Sequence, residues 1–344
     1  MQRLLLVACG LSLTGVLHAA PADLDDSPSF DDRPAAREIA HPAWFKMSFL
    51  DLREDLRAAV AARKKGIVVY FGQDNCAYCK QLMEQGFGTP DIALLAQRYF
   101  DVIALDIWGD QELTDPASRT FSEREFAIAH NANFTPTLLF LDDSGKPVLK
   151  LRGYYPPYRL RAAFQYVIGD HHRKETFSEY LARADPPPKF DIGDLNQRDF
   201  FPKPPHQLDR SRIPAQRPLV VFFEHRNCHA CDVLHTEPLT EPSLLKKIAA
   251  FDAIQLDMYA KTPLVTPQGR RATASDWARQ LSIFFAPTLV FFDERGREVF
   301  RIDSVVHEYR LGRVLDFVLE KGYASGLSYQ QWHGRRREAI NFGG

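Results

Sequence analysis

Four cysteines hold the chemistry open to this chain. Cys76 and Cys79 form one pair, Cys228 and Cys231 another, each with two residues between. Two thiols at that spacing can close a small disulfide, so each pair can take up or release two electrons. Each follows an apolar run and a polar turn: Val68-Val69-Tyr70-Phe71 before residues 72–75, and Val220-Val221-Phe222-Phe223 before residues 224–227. Beyond Cys79, residues 81–85 favour helix and Gly86 is a natural stop. A cysteine in the first turn of a helix meets unsatisfied backbone N–H groups and the positive end of the dipole. Both favour the thiolate, which is the reactive form.

The chain that positions these cysteines is a tandem repeat. Cys228 follows Cys76 by 152 positions, and Pro242 follows Pro90 by the same interval. After a one-residue deletion the interval is 151, pairing Leu105-Asp106 with Leu256-Asp257, Pro136-Thr137 with Pro287-Thr288, and Tyr158-Arg159-Leu160 with Tyr309-Arg310-Leu311. A length of 344 residues agrees with two domains, and 45% hydrophobic residues can fill two cores. A formal charge of −1 gives no reason to expect nucleic acid or an anionic membrane as partner.

Residues 1–22 read as a cleaved secretory signal: Arg3, an apolar centre over residues 4–17 and small residues at Ala20-Pro21-Ala22. A retained anchor and a lipoprotein box at Leu6-Val7-Ala8-Cys9 are the lesser alternatives. A periplasmic or secreted location follows, in which the four remaining cysteines meet an oxidising compartment. Residues 23–40 read as a flexible lead, 41–184 as the first domain, 185–217 as a Pro-rich, extended linker that can hold the domains apart yet keep their encounter intramolecular, 218–333 as the second domain, and 334–344 as a basic, solvated tail.

Within the first domain, Phe49, Leu52, Leu56, Ala59 and Val60 recur at helical spacing. A second strand is expected over 100–107, then an unusually long polar connection over 108–120 and a helix opened by the capping box Ser122-Glu123-Arg124-Glu125. A hairpin follows, with Pro147 confining its return strand to a sheet edge or its own first position. A last helix is expected over 158–168. The predicted class is α/β, with two tandem domains that each place a central mixed sheet among flanking helices.

Both halves resemble thioredoxin-fold proteins, and the first is similar to the periplasmic SoxW-like thioredoxins. The residues that carry the likeness are Phe71, Cys76-Ala77-Tyr78-Cys79-Lys80, Asp106-Ile107-Trp108-Gly109-Asp110 and Phe134-Thr135-Pro136-Thr137-Leu138. The resemblance implies a thiol:disulfide oxidoreductase with Cys76 and Cys228 as nucleophiles and Cys79 and Cys231 as resolving thiols. It also implies cis bonds before Pro136 and Pro287, with Thr135 and Ala286 presenting backbone to substrate. Tyr70 and Phe222 stand where thioredoxins carry a buried aspartate, so the proton acceptor of the resolving thiol is left unassigned.

Ala77, Tyr78 and Lys80 at the first pair, and His229, Ala230 and Asp232 at the second, are expected to tune the thiols. Lys80 and a protonated His229 favour thiolate, whereas Asp232 opposes it. His235 reads as an ordinary surface residue. Haem attachment fails because Lys80 and Asp232, not histidine, follow the second cysteines, and the pairs lie too far apart for a zinc ribbon. No organic cofactor or metal is expected, since the cysteines carry the electrons. The expected partners are protein thiols and disulfides and a membrane thiol–disulfide electron donor or acceptor. The competing reading is a copper chaperone or assembly factor that binds through its dithiols.

Overall fold

A computed structural model of the protein describes residues 30–34, 39–132, 134–184, 195–226 and 228–342. The expected signal over 1–22 lies outside them, with most of the expected lead. Among the described residues no helix is long and apolar enough to cross a membrane.

The first half opens with α1 (Leu52–Ala61), whose cap is Asp51 accepting from the Glu54 N–H. Leu52, Leu56 and Ala59 are buried, but Phe49, expected on the same face, is wholly exposed. Leu50 adopts a positive φ of 64°, which breaks the helical phase before α1 begins. Then come β1 (Gly66–Gly72), α2 (Ala77–Gln81), a π-helical turn over Leu82–Gly86, α3 (Pro90–Tyr99) and β2 (Phe100–Asp106). The long connection folds as a hairpin of β3 (Glu112–Thr114) and β4 (Thr120–Ser122). Next is α4 (Glu123–Ala129), which begins with the complete Ser122/Glu125 capping box. The half closes with β5 (Thr137–Asp142), β6 (Pro147–Arg152), α5 (Pro157–Ile168) and α6 (Phe177–Ala184).

The sheet order is β2-β1-β5-β6, with β1 parallel to β2 and antiparallel to β5. Pro147 is the first residue of edge strand β6, where its missing N–H leaves no ladder bond unmade. Every residue of β1 is buried, so both faces of the sheet are covered. Ile67, Val69 and Phe71 face the core shared with α1 and α4, while Tyr70 packs against Phe45 from the entering chain.

The described part of the segment read as a linker is packed from residue 195 onward. Phe201 lies against Phe222, and β7 (His206–Gln207) joins a small sheet. Buried Arg210 bonds to Asp252 at 2.7 Å and to the Arg217 carbonyl. The second half then repeats the order. It runs through β8 (Leu219–Glu224), α7 (His229–Thr236), α8 (Pro242–Ile248), β9 (Asp252–Asp257), β10 (Pro263–Val265), β11 (Arg271–Thr273) and α9 (Ala274–Gln280). It ends with β12 (Thr288–Phe292), β13 (Glu298–Ile302), α10 (Glu308–Leu319) and α11 (Tyr329–Phe342), and its main sheet has the order β13-β12-β8-β9. Residues expected as the start of a basic tail belong to α11.

The halves are not held apart; they pack through equivalent segments. Arg152 pairs with Asp303, its counterpart at the 151-residue interval, at 2.8 Å. The Val305 N–H donates to the Tyr154 carbonyl at 3.2 Å. Gly153 has φ +90°, and a Cβ there would stand 2.0 Å from Ser304 Oγ, so only glycine permits this approach. On one flank Tyr155 packs on Phe284 and Phe285, with Phe177 against Phe284. On the other, Phe134 joins the core of the second half beside Phe300 and Tyr329. Patches that meet their own repeat-equivalents resemble the self-complementary interface of a twofold dimer.

Candidate active site

Cys76 is the N-cap of α2, and Cys79 sits in its first turn with its N–H donating to Cys76 Sγ at 3.1 Å. Cys228 and Cys231 repeat this at α7, also at 3.1 Å. Each pair is disulfide-bonded, with Cα atoms 5.1 Å apart in both. Cys76 and Cys228 are each 6% exposed, whereas Cys79 and Cys231 are buried. That asymmetry suits an outer sulfur that meets substrate and an inner one that resolves it. The Thr135–Pro136 and Ala286–Pro287 bonds are both cis.

At the first pair the Thr135 hydroxyl is the hub. It accepts from Gln73 Nε2 at 2.8 Å and Gln330 Nε2 at 3.4 Å, and lies 3.5 Å from Cys76 Sγ. A hydroxyl has one proton and two acceptor positions. With two amide donors on its oxygen, that proton is left for the sulfur, where it would stabilise a thiolate. Gln73 is itself fixed by Trp108 Nε1 at 2.6 Å. Gln330 comes from α11, so the second half reaches into the first site.

Tyr78 shows how far that reach goes. Its hydroxyl donates to Asp32 at 3.0 Å and accepts from the His307 N–H at 2.9 Å. Asp32, within the expected lead, also accepts from the Tyr309 and Arg310 N–H groups and so caps the first turn of α10. The Arg310 guanidinium lies 3.6 Å from the centre of the Tyr78 ring and 4.4 Å from that of Phe134. Its Nη2 donates to the Thr135 carbonyl at 2.8 Å, while buried Nη1 has no hydrogen-bond partner. Burial drives the Tyr78 phenol well above its ordinary pKa and pulls Arg310 below its own. A cleft of about 690 Å³ remains beside Cys76, bordered by Asp32, Asp74, Asp106, Arg310, Gln330 and Arg335 among others.

The second pair is built differently beneath its helix. Glu224 ends β8 and is fully buried; His235, one turn beyond Cys231, is 1% exposed rather than at the surface. His235 Nε2 lies 2.8 Å from Glu224 Oε1, and Glu224 Oε2 accepts from Gln255 at 3.0 Å. Arg198 Nε donates to His235 Nδ1 at 3.4 Å, so the imidazole proton sits on Nε2 and points at the carboxylate. Arg198 also donates to the His235 carbonyl. The signal for this burial is present in the sequence, because Cys231, Leu234 and His235 share one helical face. Asp32, Gln73, Gln330 and Arg310 carried no such local signal.

The remaining expected tuning residues lie within the opening turns of α2 and α7. Ala77 and Ala230 are half-buried, His229 and Asp232 exposed. Lys80 pairs with Glu84 at 3.5 Å, and Asp232 accepts from Asn196 at 2.8 Å. Among the described residues no group of three or more His, Cys, Asp or Glu could hold a metal ion.

A family model described as "Thioredoxin-like domain" matches residues 52–168 and again 205–319. No curated protein matches the chain. Among solved structures, a thioredoxin-fold protein from Helicobacter pylori is 15% identical, with 39% of this chain and 88% of that one covered and a TM-score of 0.33. A thioredoxin from Thermus thermophilus is 25% identical, with 32% and 80% covered and a TM-score of 0.25. A DsbH oxidoreductase is 16% identical, with 41% and 92% covered and a TM-score of 0.28.

Proposed function

Because the chain belongs to the thioredoxin-like domain family, twice over, we propose that it is a periplasmic or secreted thiol:disulfide oxidoreductase. In this reading it exchanges disulfides with protein thiols through both pairs, and its first half works in the manner of the SoxW-like thioredoxins. The observation that carries the reading is the repeated site: a helix-capping outer cysteine bonded to a buried inner one.

The reduced outer cysteine, Cys76 or Cys228, attacks one sulfur of a substrate disulfide and releases the other as thiolate. The inner cysteine, Cys79 or Cys231, then attacks the outer sulfur, breaks the mixed disulfide and frees the second substrate thiol. Two electrons pass from the dithiol to the substrate, and the two thiol protons leave with them. No organic cofactor or resident metal enters this scheme. The opposite partner is a membrane thiol–disulfide donor or acceptor that resets the pair, reached by a chain freed of its signal.

Replacing an inner cysteine tests the scheme. Cys79→Ser and Cys231→Ser, exposed separately to periplasmic extract, should each accumulate mixed disulfides that a reductant dissolves. No adducts from either variant, together with tight copper binding by the reduced wild type, would replace this reading with the chaperone.

A further inference from the structure

The first pair is covered in a way that restricts what can reach it. Thr135 has no exposed surface, Tyr78 is 1% exposed, and the Thr135 carbonyl is already taken by Arg310. An extended protein segment laid along residues 134–136 would have to displace α10 and α11. What remains is the cleft beside Cys76, about 690 Å³, a size that holds small ligands. The cations Arg124 and Arg335 border it beside Arg310, as do the carboxylates Asp74 and Asp106. The cations suit a carboxylate, and the two acids suit an ammonium.

We infer that the first pair acts on low-molecular-weight disulfides and thiols of the amino-acid or short-peptide kind, whereas protein disulfides react at the second, where half-buried Ala230 and 9% exposed Ala286 replace Tyr78 and Thr135. This rests on the oxidoreductase reading above. In the reaction, Cys76 thiolate attacks one sulfur of the small disulfide and expels one small thiolate. Cys79 then attacks Cys76 Sγ and expels the other. The small disulfide is reduced to two thiols, the Cys76–Cys79 dithiol is oxidised to the disulfide, and its two protons pass to the expelled thiolates.

The test uses the full chain with one pair disabled at a time, Cys228→Ser/Cys231→Ser or Cys76→Ser/Cys79→Ser. Each is reduced and then oxidised with glutathione disulfide, cystamine or insulin. The rate ratio of glutathione disulfide to insulin should be at least tenfold higher for the first pair than for the second. Equal ratios would overturn the inference and leave the oxidoreductase reading intact; a first pair inert to all three would remove that reading at this site, and the inference with it. Arg335→Met, which removes an exposed cation of the cleft wall, should lower the ratio of glutathione disulfide to cystamine, which has no carboxylate, by about threefold. Because both rates come from one protein, general damage cancels. An unchanged ratio there would overturn the carboxylate assignment.

Discussion

The two cysteine sites share a backbone and differ in what lies above and beneath it. Above the first pair stand Tyr78 and the Thr135 hydroxyl, both held by the second half of the chain. Above the second stand Ala230 and Ala286, which have no polar side-chain atoms to offer. Beneath the pairs the contrast reverses. The first half has Gly72 and Met83 where the second has the buried couple Glu224 and His235. One site is therefore held from above by the other half, and the other carries a buried Glu–His couple one turn from its inner cysteine. Duplication preserved the electron-carrying geometry and left the surroundings free to specialise each copy.

The largest effect should come from exchanging the buried couple. His235→Met leaves Glu224 a buried carboxylate with Gln255 as its remaining side-chain donor. Removing one partner of a buried hydrogen bond leaves the other unsatisfied and costs about 1–3 kcal/mol, more when the orphaned group is charged. Adding Glu224→Gly, which restores the pairing found in the first half, should recover part of that loss. Denaturant melts of both variants would show it. A double variant no more stable than His235→Met would mean that Glu224 does not depend on His235.

The residue before each cis-proline should produce the next largest effect. Thr135→Ala removes the hydroxyl 3.5 Å from Cys76 Sγ, and Ala286→Thr offers one to Cys228. A hydrogen bond to a charged group contributes about 1.5–3 kcal/mol. The first change should raise the Cys76 pKa by roughly one to two units and the second lower that of Cys228. Ultraviolet thiolate absorbance during titration reads both. A Cys76 pKa unmoved by Thr135→Ala would detach the hydroxyl from the thiolate.

Much of this comparison was legible in the sequence, for physical reasons that also set its limits. Strand, cysteine pair and helix are local, and the repeat doubled their signal. Pro147 marked an edge because a missing N–H cannot hide in a ladder. Contacts between the halves leave no such trace. Nothing local sets Arg152 and Asp303 apart from other surface charges, or Gly153 from other glycines, until the halves are brought together. His235 looked like a surface histidine because its type outweighed its place on the buried face of α7. Asp32 fell in a polar, Pro-containing stretch, where nothing local indicates that a carboxylate will cap a helix far along the chain. The 195–217 stretch was dominated by its prolines, which argue for extension but are equally compatible with an extended chain laid across a domain.

The smallest effect is expected from pH, and it bears on the cover of the first site alone. The His307 N–H holds the Tyr78 hydroxyl, and its ring lies 3.5 Å from Glu237. Burial lowers the His307 pKa; Asp32 and Glu237 favour its charged form, and Arg310 opposes it. The folded chain therefore takes up this proton less readily than the unfolded chain, where histidine titrates near 6.5. When the unfolded state binds more protons, stability rises with pH, so this contribution is present above about pH 6.5 and lost as pH falls below it. His41, His130 and His206 are lowered by burial too and act in the same direction. At Asp101, Asp142 and Asp293 burial works upward but hydrogen bonds outweigh it and hold the pKa low, so their contributions are lost at more acid pH. Comparison with His307→Gln isolates the one residue, since the variant should lose less thermal stability than wild type between about pH 7.5 and 5.5. Over the same interval, amide exchange around Cys76–Cys79 should accelerate more than around Cys228–Cys231, because only the first pair lies under the His307–Tyr78 contact. Equal acceleration at the two pairs, or melting slopes that do not differ, would show that His307 does not govern the cover.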